Sequence, residues 1–431
     1  MPDKSNKYSE TRKPPKWLII FSLIIAGEMI FGLPFHVIRY FRPTLLDVFK
    51  LTNTQVGDAI AIYGITAMIS YFPSGVIADR FSARKLMSFS LVATALGGIW
   101  MVSIPNQLGL SLLFGFWGIT NILMFWSAML RATRTWGGKL AQGRAFGLLD
   151  GGRGLVGAGA ATIAVFFLAS FLPSDLNNIL AEQRVQALKA VIWFYTTLTF
   201  LAAILVWFFI PETKNRKTES KFFTGILEVL KSRSAWLQAI IVISAYCGYR
   251  GLDFYALYGV DVLGMNEVSV ARFMSNATYL RPVAAILAGF IADRFTTKRV
   301  IVSTFGVLLL SYLLLLFLSP EKNGVNIIFV NMVITILAVY ALRGVYFGLF
   351  EETNVPKRLT GTTVGLVSLI GYTPDIFFQS IAGRILDANP GVEGFHNFYL
   401  YLSVIAIIGL IVTLLLTTKK RFSSKGNVKV I

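Results

Sequence analysis

An all-α membrane protein, with twelve crossings arranged as two six-helix bundles, is the fold class this sequence predicts. Three observations carry it. Of the 431 residues, 55% are apolar and 14% charged, against roughly 25% charged in a soluble domain. The apolar residues fall into twelve runs, each near the ~20 residues that cross a hydrocarbon core of ~30 Å with every backbone group bonded inside its own helix. A seven-residue motif also recurs 214 positions apart and divides the chain in two.

The runs span 17–40, 54–77, 86–106, 109–130, 145–172 and 188–210 in the first half. In the second they span 236–261, 268–291, 299–318, 326–349, 361–384 and 397–417. The expected organisation is a polar tail (1–16), a six-helix bundle (17–210), a charged linker (211–235), a second bundle (236–417) and a basic tail (418–431). A short amphipathic helix is expected at Phe222–Leu230 in the linker. The first apolar run is too long for a signal peptide and lacks a small-residue cleavage site, so it reads as a helix, and no targeting segment is visible.

Lys and Arg total 40 against 22 Asp and Glu, a formal charge of +18. With the N-terminus in the cytoplasm, that side collects 28 of the basic residues and the other about seven, so both termini are expected there. The excess charge is a topological signal with some attraction for anionic lipid. It forms no continuous basic face, which excludes a nucleic-acid binder. One cysteine, Cys247, excludes an internal disulfide, and His36 and His396 are too few for a His-rich metal site. No nucleotide-binding loop, cofactor motif, metal cluster or grouping of nucleophile, base and orienter appears, so neither an enzyme nor a cofactor is expected. A monomer is expected.

The repeat pairs Gly75-Val-Ile-Ala-Asp79-Arg80-Phe81 with Gly289-Phe-Ile-Ala-Asp293-Arg294-Phe295, each followed by a basic pair, Arg84-Lys85 or Lys298-Arg299. Weaker echoes pair Leu130-Arg131 with Leu342-Arg343, and Gly143-Arg-Ala-Phe-Gly-Leu with Gly361-Thr-Thr-Val-Gly-Leu. The sequence therefore resembles the major facilitator superfamily, whose loop motif G-x-x-x-D-R-x-x-x-R-[RK] is met in both halves. The resemblance implies that Gly75, Asp79, Arg80, Arg84, Gly289, Asp293 and Arg294 form a cytoplasmic gating motif, closing that side through charge contacts with neighbouring helix ends. Ala83 and Thr297 depart from the glycine usual before the basic pair.

An ionisable side chain at mid-span costs a few kcal/mol or more and is a functional candidate by default. Glu28 sits near the middle of the first helix, Asp150 and Arg153 in the fifth, Arg250 and Asp253 in the seventh, Arg281 in the eighth, Arg343 in the tenth and Asp375 after Pro374 in the eleventh. Asp150/Arg153 and Arg250/Asp253 are spaced i, i+3 and can partly neutralise each other. Arginines dominate, and a guanidinium fork matches phosphate, sulfonate or carboxylate. The implied cargo is a small organic anion.

The stretch Gly143 to Gly157 resembles the fifth-helix signature of the organophosphate:phosphate antiporter branch, with Arg153 at the position of a substrate-contacting His and Asp150 at that of an Asn. That branch binds phosphate between two arginines, from the first and seventh helices. The resemblance points to Arg250 and, in the first helix, to Arg39 or to His36, which is the repeat-equivalent of Arg250. Glu28 and Asp375 are candidate proton carriers or structural ion-pair partners. The expected function is secondary active transport of an organic anion by exchange or by proton or cation symport, with phosphate or a proton as the coupled ion. A proton-coupled exporter of drugs or amphipathic compounds, and a membrane sensor that binds an anion without moving it, are the alternatives.

Overall fold

The structure, a computed structural model, describes residues 14–138, 141–173, 179–212, 226–318, 321, 324–353 and 360–417. Within them the chain forms twelve helical rods and no strand. We label them α1 (16–49), α2 (Asn53–Arg80), α3 (Ala83–Val102), α4 (Gln107–Gly137), α5 (Gln142–Ser170), α6 (Ala181–Phe209), α7 (233–261), α8 (267–294), α9 (Thr297–Phe317), α10 (325–352), α11 (360–388) and α12 (Val392–Leu415).

Nine rods are long and apolar enough to span a membrane by length and composition, and the bent α1 makes a tenth. The other two are α7 and α8. They are interrupted at Leu252–Phe254 and at Tyr279, and both carry arginines and aspartates along their length. Asp253 and Arg281 on these rods are buried against charged partners in the other half, and Arg250 against partners in its own. Large apolar side chains such as Phe72, Phe166, Phe208, Phe290 and Phe317 stand exposed around the outside, as a lipid-facing surface requires.

α1 runs nine residues beyond the expected 17–40. Pro34 supplies no amide hydrogen, and the chain widens there into a π turn at Gly32–His36. A second irregularity lies at Phe41 (φ −125°, ψ 25°), two residues before Pro43, whose ring would meet the preceding turn of an ideal helix. Other rods break too, α4 and α11 beside the cavity and α10 nearer the loop-motif end, where Gly348 packs on Thr297. α4 has a π stretch at Thr120–Trp126, α10 a 3-10 turn at Tyr346–Gly348, and α11 restarts at Pro374. The cavity lies at the level of the breaks in α1, α4 and α11. Of the expected linker helix, Ile226–Leu230 is helical, while 222–225, like the tails at 1–13 and 418–431, lie outside the described residues.

The packing repeats between the halves: α3 lies on α6 as α9 lies on α12, and α2 on α4 as α8 on α10. The halves meet along α2/α11 and α5/α8. α2 and α11 run antiparallel in near backbone contact. A Cβ at Gly57 would run into the Gln379 carbonyl oxygen, and one at Gly383 would stand 2.5 Å from that of Asn53, so only glycine fits there. This end of the seam is closed by Asp387, whose carboxylate accepts from the Asn53 and Thr54 amides at 3.1 and 2.7 Å and so caps α2 from the opposite half. Asp58 accepts from Ser380 and Arg384, and Glu267 meets Thr44 and Arg184 nearby.

Candidate functional site

At mid-depth between the halves lies a cavity with about 110 Å³ open to water centres, room for several water molecules or a small organic group. Four arginines line it, Arg153 from the first half and Arg250, Arg281 and Arg343 from the second, with two carboxylates, Glu28 and Asp375. Phe31, Phe35, His36, Tyr63, Trp126, Tyr246, Tyr249 and Tyr372 supply most of the remaining wall. Among the lining residues the arginines outnumber the carboxylates four to two.

One group of these charges forms a clasp between α1 and α7. Arg39 donates through Nε to Asp253 Oδ1 (2.6 Å) and through Nη1 to the Tyr249 hydroxyl (2.7 Å). The other oxygen of Asp253 accepts from Arg250 (3.4 Å) and from Gln379 (2.8 Å). Arg250 is held again by Asp375, at 2.6 Å from Nε and 2.5 Å from Nη2, while Tyr246 donates to the free oxygen of Asp375.

The clasp follows the repeat. The 214-residue offset that relates the two loop motifs also relates Phe35 to Tyr249, His36 to Arg250 and Arg39 to Asp253. Arg250 lies over the ring of Phe35 and Arg39 over that of Tyr249, each at 4.1 Å, a cation–π contact worth ~2 kcal/mol when desolvated. Arg39 and Asp253, at equivalent positions of the two halves, therefore bond to each other across the pseudo-twofold axis.

A second group centres on Glu28. Its Oε1 lies 3.3 Å from both His36 Nε2 and Arg281 Nη1, and its Oε2 lies 3.1 Å from Arg153 Nε. Arg281 also donates to Asp150 at 3.0 Å, so one guanidinium of α8 ties together α1 and α5 of the opposite half. Room for the carboxylate comes from Gly157 on α5, where a Cβ would stand 2.7 Å from Oε1.

Arg343 differs from the other three. Its guanidinium lies 4.0 Å over the Tyr249 ring, and among the described residues no carboxylate stands within ion-pair distance of it. A half-buried cation so placed carries an electrostatic penalty of several kcal/mol, which an anion in the cavity would relieve.

Of the residues singled out from sequence, His36, Arg153, Arg250, Glu28 and Asp375 line the cavity. Arg39 and Asp253 lie behind its wall, engaged in the clasp, and Asp150 sits at the edge with its side chain 59% exposed. At the other end of the rods, the first loop motif makes these contacts within its own half. Arg84 and Lys85 pair with Glu212 at 2.5 and 3.1 Å, and Arg131 donates to the Phe81 carbonyl (2.6 Å). A Cβ at Gly75 or Gly289 would meet open space. Asp79, Arg80, Asp293 and Arg294 occupy the last turns of α2 and α8, with Arg294 5.8 Å from the ring of Phe295. Glu352, which no sequence motif marks, caps α9 through the Thr297 and Lys298 amides at 2.6 and 3.2 Å.

The sequence marks Arg281 and Arg343 as mid-span charges without placing them among the ligands. A signal for them exists. Each is a mid-span arginine with no acidic residue three or four positions away, so neither can neutralise itself within its helix.

Comparison with known proteins bears on fold and family. The inner membrane protein YqcE of Escherichia coli is 29% identical over 423 residues, covering 94% of this chain and 96% of that one. The "Probable nitrate/nitrite antiporter NarK1" of Thermus thermophilus is 26% identical over 306 residues, 68% of this chain and 64% of that one. Among solved structures, a point mutant of the nucleoside transporter NupG superposes with a TM-score of 0.75 at 12% identity, covering 93% of this chain and all of that one, a likeness of fold alone. The sequence profile of the Major Facilitator Superfamily matches residues 17–379. This multi-pass integral membrane protein belongs to the Major Facilitator Superfamily.

Proposed function

We propose that this protein moves a small organic anion across the membrane, exposing the central cavity to the two sides in turn. Arg343 carries the reading. In a wall where Arg153, Arg250 and Arg281 each have a carboxylate within 3.4 Å, Arg343 has the face of a tyrosine and an open side. A phosphate, sulfonate or carboxylate group seated there accepts from the fork of Arg343 and lies within the same chamber as Arg281 and Arg153. The aromatic wall favours an organic body on the cargo over a bare inorganic ion.

With the termini in the cytoplasm, as the Lys and Arg distribution favours, the end closed by Asp387 and Asp58 faces outward. Loading from outside then requires α2 and α11 to part, and an anion that bridges the halves biases that step. Exchange fits an unneutralised cation best, because the site re-orients at lower cost with an anion inside. The similarity to NarK1, whose name carries nitrate and nitrite antiport, supports the same class. Proton symport through Glu28 or Asp375 requires first breaking the ion pairs that hold each acid, Glu28 with Arg153 and Arg281 and Asp375 with Arg250.

The test is counterflow into proteoliposomes preloaded with phosphorylated, sulfonated or carboxylated metabolites. One anion class should accelerate its own uptake from the opposite side, and Arg343→Ala should abolish this. Anion binding without flux identifies a sensor; flux of cations or lipophiles insensitive to anions identifies the exporter.

A further inference from the structure

Glu28 makes a demand on that site which the transport reading alone does not explain. Its carboxylate lies in the cavity wall against His36 of its own helix, Arg153 of α5 and Arg281 of α8. Tyr195 of α6 stands behind, its ring 5.6 Å from that of His36. The contact with Arg153 is close but poorly directed: Glu28 Oε2 and Arg153 Nε, 3.1 Å apart, both lack a hydrogen-bond partner of acceptable angle. Glu28 Oε1 accepts one long hydrogen bond from Arg281 Nη1 (3.3 Å), so the carboxylate is seated by charge on the Arg153 side and by a single long bond on the Arg281 side, against the shorter bonds of 2.6 Å that fix Asp253 and Asp375 in the clasp. Two glycines hollow it out. A side chain at Gly27 would strike Met129 and Arg153, and one at Gly157 would strike Glu28 itself.

We propose that Glu28 is an internal competitor for the cargo's anionic group. It fills the Arg153–Arg281 seat when the cavity is empty and swings aside when an anion bridges Arg281, Arg153 and Arg343. The inference rests on the anion reading and deepens it. Its chemistry is an exchange of one carboxylate for another anion on the same guanidiniums, with no bond made or broken. Because Arg281 belongs to the opposite half, the exchange moves the link between the halves from a protein side chain to the cargo.

The sign of the prediction separates this role from a structural one. Glu28→Gln keeps the volume and removes the charge, so methanesulfonate, which stays singly charged across the working pH range, should bind the variant roughly tenfold or more tightly than the parent. Gly157→Ala keeps the charge and instead pushes the carboxylate off its seat, and should strengthen methanesulfonate binding in the same direction. Binding is read by titration calorimetry on the purified full chain, with Arg343→Ala as the control that loses it. A structural or scaffolding Glu28 predicts weaker binding in both variants, and equal or weaker binding in both overturns the proposal. Where Glu28→Gln fails to fold, Gly157→Ala alone decides. If parent, Glu28→Gln and Gly157→Ala all ignore methanesulfonate, sulfate and inorganic phosphate alike, the anion reading itself fails and the competitor falls with it.

Discussion

The clasp around Asp253 and the open wall at Arg343 are built from the same chemistry, arginine against an aromatic ring, and end in opposite states. In the clasp, Arg39 and Arg250 each lie 4.1 Å over a ring and each also has carboxylate oxygens at 2.5–3.4 Å. Arg343 shares the ring of Tyr249 with Arg39, at 4.0 Å, and has no acid beside it among the described residues. The aromatic face is common to both, so it cannot be what distinguishes scaffold from receptor. The carboxylate is. A charge neutralised on folding fixes the contact between α1 and α7, and on the proposed reading a charge left over awaits an anionic cargo.

That contrast can be broken from either side. The largest effect on stability is expected at Asp253→Asn, which removes the acid shared by two buried arginines. Losing one partner of a buried pair costs about 3–5 kcal/mol, read as a lower unfolding midpoint in detergent. Arg343→Ala should do the reverse, leaving the midpoint unchanged or raised while anion affinity falls about 30-fold or more. If both variants lost stability and binding together, clasp and receptor would be one unit.

A smaller effect is expected at the closed seam. Asp387→Ala removes the cap that α11 places on α2, worth about 1 kcal/mol. The population opened at that end should rise by about fivefold, measured as a longer distance between spin labels on the exposed Lys50 and Val392. The smallest lies at the motif end. Lys85 and Arg84 hold the Glu212 carboxyl below its ordinary range, so this contact contributes above that range and is lost as the pH falls through the lowered value. Glu212→Gln should leave the unfolding midpoint at neutral pH unmoved, since an exposed ion pair is screened by solvent.

Much of this architecture is written in local pattern. The apolar runs, the repeated Gly75 and Gly289 motifs and the rarity of charge at mid-span suffice for a helical membrane fold in two halves. Boundaries fail where the pattern is ambiguous. Arg39, Arg42 and Pro43 read as the end of the first helix, yet α1 continues to Phe49 because Arg39 finds Asp253 and Arg42 finds Asn53 and Gln379. Those partners lie up to 337 positions away in the chain, and no periodicity encodes them. The same blindness explains the site. Spacing of three residues draws attention to Arg153 and Arg250, whereas the lining arginine without a carboxylate at ion-pair distance among the described residues is Arg343, marked only by the lack of an acid three or four positions away. Arg39 and His36 cannot be ranked from the sequence because they share a helix one turn apart. The π turn at Gly32–His36 sends His36 to the cavity and Arg39 behind it.

The most direct test is to see an anion in place. Crystals prepared with selenate, whose selenium scatters anomalously at its absorption edge, should show one peak between the Arg343 and Arg281 guanidiniums, with the Glu28 side chain moved off its seat. A cavity left empty at saturating selenate, or a peak confined to the surface loops with Arg343 still bare, would contradict the account.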